Sequence, residues 1–83
     1  MLPALPLSTW DRATVRAVAI AYRRQRQAGQ SDQPAYEAAL AAYRERHPRT
    51  LDHEAAETAS GMIASVAREH GAWFWRGVGE PRR

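Results

Sequence analysis

Four backbone breakers constrain this chain more than anything else in it: Gly29, Pro34, Pro48 and Gly71 cut an otherwise helix-forming sequence into three stretches of helical length. Proline fixes φ and removes an amide donor, and glycine takes left-handed angles that end a helix. Between the breakers, apolar residues recur with the period of a helix that buries one side. The expected fold is therefore all-α: a small antiparallel three-helix domain with an extended proline and leucine arm before it and an aromatic segment after it.

The boundaries follow from local chemistry. Residues 1–7 hold two prolines among leucines and read as an extended arm whose leucines lie across the helices. Ser8 and Thr9 offer capping hydroxyls and Asp11 an acid for the first turn, so helix one is expected over 9–28, with Gly29 as its terminator. After a polar loop capped by Ser31 or Asp32, helix two is expected over 34–47, stopped by Pro48. Asp52, or Thr50 in competition with it, caps helix three over 52–70, with Gly71 as the stop. The aromatic tail covers 72–83 and either extends the helix by a turn or folds back.

Eighty-three residues form one domain with no room for a second core. The hydrophobic share of 45% is rich in alanine, which removes little area from water, so the larger side chains carry the core. A core this thin favours self-association or docking on a larger protein. With no cysteine there is no disulfide, thiolate metal site or thiol nucleophile. No apolar run approaches the roughly 20 residues needed to span a bilayer, and Met1–Leu7 lacks the basic start of a signal peptide, so the expected location is cytoplasmic, without membrane contact. The net charge of +3 rests on arginine alone, lysine being absent.

The helical period sets the expected buried faces. On helix two, Tyr36, Leu40, Tyr43 and His47 form one stripe; on helix three, Ala55, Ala59, Met62, Ile63, Val66 and His70 share a side. Helix one groups Trp10, Ala17, Val18 and Ala21, with Val15, Ile20 and Tyr22 as shoulders. His47 and His70 close their stripes near helix ends, where an imidazole satisfies the last carbonyls. Gly61 with Ser60 and Ser65 makes a small-residue patch facing away from the core, either a neutral exposed glycine or a seat for another helix.

Several patterns that could carry chemistry read as structural. His53-Glu54-Ala55-Ala56-Glu57 resembles a zinc-protease signature with its second histidine replaced by glutamate. Acids at a helix N-terminus beside an exposed histidine account for it without a metal. None of Ser8, Ser31, Ser60 and Ser65 sits in a nucleophile elbow, and Gly77-Val78-Gly79 lacks the strand and helix of a phosphate loop. The expectation is a non-enzymatic protein with no catalytic residue, cofactor or metal.

Two surface features remain. Arg12, Arg16, Arg23 and Arg26 fall within a stripe about 80° wide on helix one, suited either to solvent or to phosphates and acidic protein surfaces. Helix three begins with acids, which argues against its reading DNA as a recognition helix. Trp73, Phe74 and Trp75 are consecutive, so no helix or strand turns all three inward, and at least one ring reaches the surface beside Arg76. The leading expectation is a protein-interaction module, a small accessory subunit or regulator, docking on another protein or a second copy of itself through Trp73, Phe74, Trp75 and Arg76. The alternative is nucleic-acid binding through the arginine stripe.

Overall fold

A computed structural model describes residues 9–77. The expected arm over 1–7 and the end of the tail after Gly77 lie outside them. The chain folds into three long helices, α1 (Arg12–Gln27), α2 (Asp32–Arg46) and α3 (Asp52–Glu69), followed by a single turn, α4 (Gly71–Phe74). No strand occurs among the described residues.

The most extensive packing is between α1 and α2. They run antiparallel: Tyr22, late in α1, donates to Asp32 at the start of α2, while Arg46 at the end of α2 donates to Thr14 at the start of α1. The Tyr36 hydroxyl donates to the Ala56 carbonyl at 2.8 Å, and Arg44 pairs with Asp52 across the second connection, holding α3 against α2. Ala35, Ala39, Ala55 and Ala59 are all fully buried where the helices approach. A methyl group at these positions lets backbones come close. The space left is filled by Val15, Val18, Tyr22, Tyr43, Met62, Val66 and Phe74.

Helix ends depart from expectation in instructive ways. Asp11, not Thr9, caps α1, and its carboxylate accepts from the Thr14 amide at 2.9 Å; Ser8 lies outside the described residues. A carboxylate outranks threonine as a cap and needs a partner amide three residues on, so the helix starts later than 9. Pro34 falls inside the first turn of α2, which begins at Asp32 after Ser31. Neither Asp52 nor Thr50 caps α3; Leu51 takes the capping position and Asp52 lies in the first turn, where its charge meets the helix dipole and Arg44. Gly29 does end its helix, with φ of +91°. Gly71 does not: α3 breaks at His70 (φ −130°, ψ 39°), and Gly71 opens α4 instead.

The buried faces also rotate. On α2 the fully covered line is Ala35, Ala39 and Tyr43, with Tyr36 and Leu40 half-buried beside it and His47 exposed. On α1 the core takes Thr14, Val15, Val18, Ala19 and Tyr22, leaving Ala17 and Ala21 half-buried. On α3, Ser65 is wholly buried and His70 exposed, the reverse of what the period alone suggests. Gly61 is neither bare nor the seat of another helix. The Trp10 indole lies over it, so that a methyl group there would meet ring carbons at 3.4 and 3.5 Å.

Candidate functional site

The break at His70 decides the aromatic end. By redirecting the chain into α4, it lets Phe74 enter the core completely while its neighbours Trp73 and Trp75 stay 36% and 42% exposed. Phe74 stacks on Tyr22 with ring centroids 5.3 Å apart and 9° between planes. The Trp75 ring stands edge-on to it at 4.8 Å. Offset and edge-to-face pairs of this kind add to simple burial. One ring thus anchors the segment and two indoles are presented outward on it.

The arginine stripe and the aromatic end prove to be one surface. Arg23 donates from Nε to the Trp73 carbonyl at 3.0 Å, and its guanidinium lies 4.7 Å above the Trp73 ring. Arg26 approaches the Trp75 ring at 5.9 Å, donates to the Tyr22 hydroxyl at 3.3 Å and lies 3.9 Å from the Asp32 carboxylate. Gln27 donates to the Arg76 carbonyl at 2.9 Å. A cation over an indole face is attracted by the ring quadrupole, so these contacts fix the tryptophans in place. Arg12 and Arg16, by contrast, are exposed, and the two ion pairs among the described residues, Arg26 with Asp32 and Arg44 with Asp52, involve neither. Arg76 is exposed at the end of the segment.

Between α1 and the end of α3 lies an open groove of about 770 Å³ that brings these parts together. Val15, Ala19, Ile20 and Val66 form its floor; Arg12, Arg16, Glu69, His70 and Trp73 stand around it. No spacing in the sequence announces this groove, because its walls come from residues more than forty positions apart.

A polar cluster at the other side of α1 escaped sequence reasoning. Thr14 is 1% exposed, and its hydroxyl donates to Asp11 at 2.6 Å while accepting from Arg46 Nε at 3.1 Å. The His47 Nε2 lies 3.3 Å from the same oxygen, and its ring stacks on Tyr43. The His47 imidazole therefore reaches across to α1 instead of satisfying the last carbonyls of α2; there the backbone amide of His47 bonds the Tyr43 carbonyl. Threonine, histidine and aspartate together suggest a nucleophilic relay, but in a relay the carboxylate orients the imidazole. Here Asp11 binds the hydroxyl itself, and that hydroxyl is sealed in. The cluster is a helix cap tied to the neighbouring helix. The hydrogen bonds from the Thr14 hydroxyl and amide hold the Asp11 carboxyl below its ordinary value.

His53 and Glu57 are both exposed on α3. No group of three or more metal-ligating side chains forms among the described residues. Nor is any described helix long and apolar enough to cross a membrane. Leu51, 60% exposed, is a lone apolar chain at the α2–α3 connection, far in sequence from the aromatic segment, and single exposed leucines are ordinary.

Tyr22 joins core and surface. Burial, followed by its hydrogen bond to Asp32, pushes its phenol above the ordinary value. A phenol whose folded value exceeds its unfolded one contributes stability that is complete below about pH 10 and lost as pH rises through the folded value. Urea unfolding should therefore give a lower midpoint at about pH 11 than at about pH 9, and Tyr22→Phe should shrink that difference. An unchanged difference in Tyr22→Phe would assign the alkaline loss elsewhere.

Comparison with family models, with curated proteins and with solved structures finds no match to this chain.

Proposed function

We propose that the chain is a non-enzymatic protein-interaction module, a small accessory subunit or regulator working in the cytoplasm, that docks through the surface formed by Trp73, Trp75 and the arginines of α1. One observation carries this reading: two indoles are held at the surface by an anchor and by cations, with Phe74 buried beneath them and Arg23 stacked on Trp73. Ordered, half-exposed tryptophans next to arginines are the residues in which binding energy concentrates at protein interfaces. Holding them rigid before contact reduces the entropy lost on binding. Phe74, grouped with the tryptophans on sequence grounds, serves as the anchor and not as a contact.

The test is the double substitution Trp73→Ala/Trp75→Ala. Because both rings are partly exposed, the helical circular-dichroism signal should survive while affinity for the natural partner, or the sedimentation mass if that partner is a second copy, falls by about tenfold or more. Unchanged partners and mass would end the proposal. Nucleic-acid binding is the second reading, favoured by the exposure of Arg12 and Arg16. It is weakened by the commitment of Arg23 and Arg26 to indoles and Asp32. Under that reading, affinity for an oligonucleotide would fall steeply with added salt.

A further inference from the structure

We infer that the α1–α3 groove receives an acidic amphipathic segment of the partner protein, its apolar side chains laid on Val15, Ala19, Ile20 and Val66 and its carboxylates gripped by Arg12 and Arg16. This rests on the interaction reading above and names the chemistry of the partner. Three features of the groove carry it.

The floor is aliphatic, which favours an occupant that brings apolar side chains as well as charge. Arg12 and Arg16 lie one helical turn apart on the same lip, neither in an ion pair among the described residues. Guanidiniums four residues apart match carboxylates four residues apart on a facing helix, each able to bind through two parallel N–H groups. The third feature is Trp73, which also lines the groove while the Arg23 guanidinium stacks on its ring. Charge also selects among occupants. A second copy docked groove to groove would bring the arginine lips together, and like charges across an interface are costly.

The experiment uses the full chain, labelled with ¹⁵N so that its three tryptophan indoles give separate signals. The probe is a synthetic amphipathic helical peptide with leucines on one face and glutamates along its edges; a second peptide replaces every glutamate with lysine, and a third probe is a short single-stranded oligothymidylate. The glutamate peptide should shift the Trp73 indole and the Arg16 and Ile20 amides saturably, while the lysine peptide leaves them in place. Arg12→Gln/Arg16→Gln should weaken binding by about tenfold, and Arg12→Lys/Arg16→Lys should restore part of it. Both sites are exposed, so these variants should keep the wild-type circular-dichroism spectrum. Equal binding of the lysine peptide, shifts that avoid the groove, or an oligonucleotide that outcompetes the glutamate peptide would each overturn the inference. If the Trp73→Ala/Trp75→Ala variant loses the natural partner while Arg12→Gln/Arg16→Gln retains it, the interaction reading stands and only the groove assignment falls.

Discussion

Phe74→Ala should cost about 3–5 kcal/mol, the usual range for deleting a fully buried phenylalanine. The ring is 0% exposed, stacks on Tyr22, meets Trp75 edge-on and lies tilted against Trp73, so truncation removes its own burial and three aromatic contacts and leaves a hole beneath the surface. A domain of this size has a total stability of roughly 4–12 kcal/mol, so the loss is a large share of the whole. The melting temperature should drop by more than about 12 °C, since each kcal/mol shifts it by about 4–8 °C in domains of this length. Because α4 is one turn long and anchored by this ring, the indoles should also lose their fixed positions. Thermal and urea unfolding followed by circular dichroism measure the first effect; the indole signals in NMR measure the second. A loss below about 1 kcal/mol would mean that Phe74 does not fill the space assigned to it.

The opposite kind of change, adding atoms, should be nearly as damaging between the helices. Ala39 is fully buried on α2, on the line that faces the core. Ala39→Leu inserts a branched side chain where backbones approach, and overpacking of this kind costs about 1–3 kcal/mol or more. Since α1 and α2 form the most extensive pairing in the fold, the helices must separate or the leucine must adopt a strained rotamer. Ala41 is exposed on the same helix and is the natural control. Ala41→Leu should change stability by less than about 0.5 kcal/mol. If the two substitutions behaved alike in urea unfolding, the close approach at Ala39 would not exist.

Both expectations trace to an interior built with few large side chains. Fully buried alanines bring the helices together but remove little apolar area themselves, so the larger residues each matter more than they would in a broader core. Tyr22 shows how much is asked of one residue. It is 3% exposed, stacks on Phe74, bonds Asp32 through its hydroxyl and receives Arg26. The same side chain closes the α1–α2 pair and supports the presented indoles, which links the stability of the fold to the integrity of the surface.

Some of this was written in local sequence. Three helices were legible because Gly29, Pro48 and the polar loop before Pro34 act on their own backbone neighbours, whatever the rest of the chain does. That the three consecutive aromatics could not all be buried followed from helical geometry alone. The same holds for the arginine stripe of α1, which a 3.6-residue period determines without tertiary contacts. Only the folded chain decided which aromatic goes inward, that Arg23 and Arg26 serve the indoles from fifty residues away, and that Thr14 and Ser65 are buried. It also set the rotation of α2, placing Ala35 and Ala39 at the centre instead of Tyr36 and Leu40. The physical reason is common to all of them. Alanine differs little from its neighbours in hydrophobic energy, so an alanine-rich helix has no strong preferred face of its own, and its orientation is set by how closely the partner helices can pack and by which polar groups find partners when they do.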